Sequence, residues 1–270
     1  MYKEERNPFF PVRKECVITA GSQIDTGKFA LINDETNDVL GLVGKDYEIV
    51  ENSEINSLFQ EAIQDLEVKE TIDHLDANTK RWKRHIVFGD DSLNFDINGK
   101  GDIVGVLLEI FNGLTGRTSF GYNLMGYRWF CKNGMVSGKQ KIFSESLGHY
   151  VGNPEKLRES FEMKFDLFKD QVEGWREWVK IPFNKEMFDR FVDDKKYITE
   201  KVGNDVKDKF HPILNLEKLD ENKWGAFNVL TYLATHETKA QKGSNVFSNR
   251  FNNINRLATD LYYWEDRRTA

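Results

Sequence analysis

The sequence predicts an α+β protein, an N-terminal, mostly antiparallel β-sheet with one inserted helix followed by a C-terminal bundle of about four helices. Three observations lead there. Apolar residues recur at every second position from about Cys16 to Lys141, with turn residues between short runs. One segment inside that region, Asn52 to Leu66, switches to the helical period. From Pro154 to the end the spacing is helical throughout. Strands first and helices last define the α+β class. The division falls at residue 152, giving a sheet region over 1–152 and a helical region over 153–270 expected to pack on it as one structural unit.

The elements follow in order. KFALI and VLGLV flank NDETND and read as a hairpin. Ile55, Leu58, Phe59, Ala62, Ile63 and Leu66 share one helical face, with Asn52 or Ser53 as the cap. Five strand candidates come next: VKETIDHL, KRWKRHIVFG, SLNFDI, DIVGVLLEIF and SFGYNLMGYRWFC. Asn98 and Gly99, between LNFDI and KGDIVGV, carry the signature of a type I′ turn, which needs positive φ at both positions. Leu157, Phe161, Phe165, Phe168, Val172, Trp175 and Val179 step by four or three along one long helix that Pro182 stops. That stripe reads as a packing seam rather than a cofactor site. Asn184 caps a second helix, KWGAFNVLTYLATHE forms a third, and the last carries Phe247, Phe251, Ile254, Leu257 and Leu261.

With 270 residues and 39% hydrophobic composition, the chain can bury a full core despite 30% charged residues. A net charge of −6 means that any contact with a polyanion must come from a local patch. Two cysteines, Cys16 and Cys131, are too few for a disulfide framework or a cysteine-based zinc site, which fits a reducing compartment. No apolar run approaches the roughly 18 residues of a membrane span, and a cytoplasmic location with no membrane partner is expected.

Signatures of catalysis are missing. GLVGK lacks the phosphate-loop spacing and leads into a strand. NFDING imitates a calcium loop, but Gly105 stands where the bidentate Glu belongs, so it reads as a turn. The five histidines show no metal-ligand spacing, and no serine or cysteine lies in a nucleophile elbow. No metal, cofactor or catalytic residue is expected, and nothing in the sequence asks for an enzyme. NGLTGRTS reads as a glycine-rich hairpin turn or as an anion nest beside Arg117.

What remains is charge placed unevenly. From Ile110 to Ser144 there are five basic residues, Arg117, Arg128, Lys132, Lys139 and Lys141, and no acid. As a strand, GYRWFCK puts Arg128, Phe130 and Lys132 on one face, a ring between two cations that suits stacking on a base and contact with phosphates. A second acid-free island sets Lys80, Arg81, Lys83 and Arg84 around Trp82, and a third holds Lys239, Lys242, Arg250 and Arg256 among asparagines. The nucleic-acid-binding residues expected are Arg117, Arg128, Phe130, Lys132, Lys80, Arg81, Arg84, Lys139, Lys141 and Arg250.

Several segments resemble a known family. IFNGLTGRTSFGYNLMGYRWFCKNGMVSG, GLVGKDYEIVENSEINSLFQEAI and NKWGAFNVLTYLATHE are similar to the phage and plasmid proteins catalogued as domain of unknown function 932, from about Val39 to Thr238, most specifically at Arg128, Cys131, Asn133 and Gly134. The family carries no assigned chemistry, and the resemblance implies a setting in mobile genetic elements. The expected function is a phage-type accessory protein of DNA replication and recombination, in the host-cell cytoplasm, that binds single-stranded DNA without catalysis and promotes annealing. Two rivals stand beside it: a module that captures a host or phage protein through the Phe-rich helix or an acidic face, and a hydrolase using His236, Glu237 and Asn228. A homo-oligomer is compatible with each.

Overall fold

The computed structural model describes residues 7–76, 81–128, 133–135, 143–150, 154–236 and 245–264. The strands are β1 (Val12–Ile18), β2 (Asp25–Asn33), β3 (Val39–Val43), β4 (Val68–Leu75), β5 (Arg81–Phe88), β6 (Asn94–Asp96), β7 (Ile103–Gly113), β8 (Phe120–Arg128), β9 (Asn133–Met135) and β10 (Phe143–Leu147). Helix α1 (Asn52–Ala62) interrupts them, and α2 (Glu155–Lys180), α3 (Lys185–Asp193), α4 (Glu200–Asp208), α5 (Phe210–Glu217), α6 (Lys223–His236) and α7 (Asn245–Tyr262) follow. The fold is therefore α+β, as the periodicity predicts. Among the described residues six helices follow the strands instead of about four. The extra two, α4 and α5, are 9 and 8 residues long, and Pro212 sits in the first turn of α5, where no intrahelical N–H is needed.

The strands make a three-stranded sheet, β1-β2-β3, and a seven-stranded sheet of order β10-β8-β7-β5-β4, with β6 paired to β7 and β9 to β8. The chain divides into two compact units, residues 1–90, 108–123 and 144–165 in one, 91–107, 124–143 and 166–270 in the other. Elements β7, β8 and α2 each contribute one part to the first and the rest to the second.

In the first unit, Phe10, Val12, Leu31, Val43, Tyr47 and Leu114 form the core beneath the small sheet. On the large sheet, apolar residues of one face meet α1 and the start of α2. Phe59 lies 5.5 Å from Tyr122 and 5.6 Å from Phe161, ring centre to ring centre, and Phe88 meets Phe165 at 6.3 Å. The cap of α1 differs from expectation. Glu51 takes the N-cap position and its carboxylate accepts from the Val12 N–H, while Asn52 donates to the Pro8 carbonyl.

In the second unit, β6 and β7 pair from Asp96 opposite Ile103. Their connection is not the two-residue turn that Asn98 and Gly99 suggest. The positive φ values fall at Gly99 and Gly101, and the Asp96 carboxylate accepts from both of their N–H groups, so side-chain hydrogen bonding shapes a longer loop. The apolar stripe of α2 is buried, with Phe168, Val172, Trp175 and Trp178 inside, and Trp175 contacts Trp224 of α6 at 5.5 Å. Helix α6 is mostly apolar and lies in the interior, burying Lys223, Asn228 and Thr231 along with its apolar residues. Asn184 caps α3 by accepting from the Met187 N–H, as predicted.

Candidate nucleic-acid interface

Strand β5 reads RWKRHIVF, and alternation sends its residues to opposite faces of the large sheet. One side takes Trp82, Arg84, Ile86 and Phe88 toward α1. Trp82 is fully buried and its Nε1–H donates to Asp73 at 2.8 Å, so it is no stacking platform for a base. Arg84 makes a two-pronged ion pair with Asp73, at 2.9 and 2.6 Å, donates to Asn56 of α1, and lies 4.8 Å over the Phe9 ring. Burial alone would raise the Asp73 carboxyl, but the hydrogen bonds from Arg84 and Trp82 outweigh it and hold the group below the usual carboxylate value. With its side chain 13% exposed and its donors occupied, Arg84 serves the fold and not a phosphate, contrary to the sequence expectation.

The other side carries Arg81, Lys83 and His85, and here a polar cluster forms. Glu109 of β7 receives Lys83 Nζ at 2.7 Å and His85 Nε2 at 2.9 Å on the same oxygen, while Asn123 of β8 donates its Nδ2–H to the second oxygen. His74, on the exposed edge strand β4, pairs across the register with Lys83, and its ring centre lies 5.2 Å from that of His85. Arg81 spreads its guanidinium 4.7 Å over the Phe111 ring, and its Nε finds no hydrogen-bond partner. The Asn123 Oδ1 is likewise buried and unpartnered.

The electrostatics are layered. Glu109 has a side chain 9% exposed, whereas Lys83 is 38% and His85 29% exposed, so the ammonium and the imidazole stand outside the anion. Burial pushes the Glu109 carboxyl up, yet the His85 hydrogen bond and the Lys83 charge prevail and hold it at about 2. It is ionised at neutral pH. His74 titrates below the ordinary imidazole value, through burial first and then the neighbouring His85 and Lys83.

Arg128, the residue on which the sequence reading placed most weight, has a different task. It is 2% exposed in the second unit. Its Nε–H donates to Asp102, its Nη1–H to Glu217 at 2.6 Å and its Nη2–H to the Glu217 carbonyl, and Asp102 also accepts from Trp224 Nε1 at 2.8 Å. A guanidinium enclosed by two carboxylates is withheld from phosphate, which corrects the expectation. Asn228, proposed for a hydrolase, is 1% exposed and donates along its own helix to the Trp224 carbonyl, and Thr231 donates to the Asn228 carbonyl. Those bonds run within α6 instead of linking helices.

Of the remaining expected contacts, Arg117 is exposed in the turn between β7 and β8. Lys80, Phe130, Lys132, Lys139 and Lys141, with Glu237 of the hydrolase reading, lie outside the described residues, and Arg250 and His236 fall on helices with their side chains outside the description. The structure thus brings together Arg81 with Lys83 and adds His74, His85, Glu109 and Asn123, which the sequence reading passed over. A signal for Glu109 was present, since a carboxylate inside the apolar run VGVLLEIF demands a partner.

Fold and site together define an α+β protein whose sheet carries an arginine, a lysine and a histidine in a row beside a buried carboxylate. The chain belongs to the family described as Domain of unknown function (DUF932), whose model matches residues 39–257. Comparison with curated proteins and with solved structures finds no match. No helix among the described residues is long and apolar enough to cross a membrane.

Proposed function

We propose that the protein binds single-stranded nucleic acid on the β5 face of its large sheet, as an accessory factor of DNA metabolism in a phage-type setting. One observation carries the reading: Arg81, Lys83 and His85 alternate along a single strand, and Lys83 and His85 stand outside the carboxylate that they engage. Alternate residues of a strand repeat at about 6.6–6.8 Å, a spacing suited to successive groups of an extended polyanion. The protein as a whole is acidic, so attraction is confined to this face and acts at short range.

Anisotropy of a labelled single-stranded oligonucleotide, titrated with the protein across a salt series, tests the reading. If Arg81 and Lys83 each meet a phosphate, log K falls against log salt with a slope of about −1.4. Lys83→Ala removes about 0.7 of that slope; because it also takes a partner from the buried Glu109 carboxylate, circular dichroism verifies that the variant is folded at the assay temperature. Absence of binding at low salt, or a slope unchanged by Lys83→Ala and Arg81→Ala, rejects it.

A further inference from the structure

We propose that His74 and His85, with Lys83 beside them, form a centre that cleaves single-stranded RNA by internal transesterification, using proton transfer alone. The inference rests on the reading that this face takes single-stranded nucleic acid. It adds an activity to it.

The reaction needs two proton carriers on either side of one phosphodiester and a fixed positive charge beside it. Two imidazoles 5.2 Å apart, at an interplanar angle of 66°, supply the carriers. Lys83 lies opposite His74 in the strand register and supplies the charge. Glu109 acts through His85: by engaging Nε2 at 2.9 Å it fixes the ring and leaves Nδ1 for proton traffic, with Asn123 steadying the carboxylate from its other oxygen. Glu109 and Asn123 are therefore positioning residues, and both are more than nine-tenths buried. His74 is exposed on an edge strand, so its side chain has room to swing aside and admit a phosphate.

The step balances without an outside reagent. The ribose 2′-hydroxyl gives its proton to neutral His74 as its oxygen forms a bond to phosphorus. The bond from phosphorus to the 5′ oxygen breaks, and that oxygen takes a proton from the His85 imidazolium. The products are a 2′,3′-cyclic phosphate and a 5′-hydroxyl end, and Lys83 offsets the charge that grows on the non-bridging oxygens. The charged and titrating groups around His74 are His85 and Lys83 of β5, Glu109 of β7 and Asp73 of its own strand; their sum with burial favours its neutral form, as a base requires. DNA lacks the 2′-hydroxyl and can bind without reacting.

The test incubates the full chain with a labelled single-stranded RNA, and with DNA and 2′-O-methyl RNA of the same sequence, in the presence of a chelator. Cleavage of the RNA alone is expected, leaving a cyclic phosphate, with an acid limb of the pH profile below the ordinary imidazole value of about 6.5. His74→Gln should lower the rate by about 100-fold or more while changing binding of 2′-O-methyl RNA by less than about threefold, and His85→Ala should lower the rate at saturating RNA by about as much. His74 is exposed, so His74→Gln folds normally, which circular dichroism and a thermal melt verify. If 2′-O-methyl RNA binds and RNA stays intact, the inference falls and the binding function stands. If no oligonucleotide binds, both fall. Cleavage that persists unchanged in both variants comes from a contaminant and overturns it.

Discussion

At the scale of single residues, two buried acid–base groupings divide the labour between site and scaffold. Glu109 is stabilised as the anion, with its carboxyl lowered from 4.5 to about 2. The sign follows: a depressed folded value contributes stability that is complete above the unfolded value and is lost as pH falls through the folded one. About 3 kcal/mol present at neutral pH should fade between about pH 4.5 and 2. Urea unfolding of Glu109→Gln at pH 7 and about pH 2 checks this; the variant should be clearly less stable than the parent at pH 7 and close to it at about pH 2. Arg128 belongs to the scaffold. Arg128→Ala leaves Asp102 and Glu217 buried without their cation and should cost about 3–5 kcal/mol in the same assay. Loss of nucleic-acid affinity in an Arg128 variant that still melts like the parent would contradict that assignment.

At the scale of elements, β5 explains how much was legible beforehand. The strands VKETIDHL and KRWKRHIVFG are plain in the alternation, and so is the long helix from the Leu157 stripe. Which side of β5 faces helix α1 is not, because that depends on neighbouring strands distant in sequence. Trp82 and Arg84 look like surface recognition residues when read along the chain, and only Asp73 and Asn56 across the fold show them to be interior. Of the candidate site, Arg81 and Lys83 are visible as part of a basic island, whereas His74, His85, Glu109 and Asn123 come from four strands and share no local pattern. Turns show the same limit, since Asn98-Gly99 matches a two-residue signature that the Asp96 carboxylate overrides. The β7–β8 turn allows a test. Gly116 has φ of 77°, and a Cβ there would lie 2.6 Å from a Val43 methyl. Gly116→Ala should therefore lower stability by at least about 1 kcal/mol, measured as a fall in the urea midpoint.

At the scale of the whole molecule, the quoted family motifs and the proposed binding strand fall in different places, although Asn123 of the polar cluster lies within a motif. Arg128 and Trp224, from the two most recognisable motifs, both hydrogen-bond to Asp102, and Asn112 of the NGLTG turn donates to the Val50 carbonyl and to Asn52. The family pattern therefore marks the framework, and the row of Arg81, Lys83 and His85 sits on a strand outside the quoted motifs. Counterion release from the two phosphate contacts further predicts that nucleic-acid affinity rises modestly on dilution of salt, which the anisotropy series measures. The Asp102 junction has one more effect, on the order in which the chain acquires its shape. Its bonds join residues 89 and 122 positions apart, so during synthesis the guanidinium and its first carboxylate emerge from the ribosome well before Glu217 and Trp224 exist to complete the set. Closure of this knot is a late, slow event of high contact order, and a nascent chain halted ahead of α5 holds an unfinished interior that invites chaperone capture.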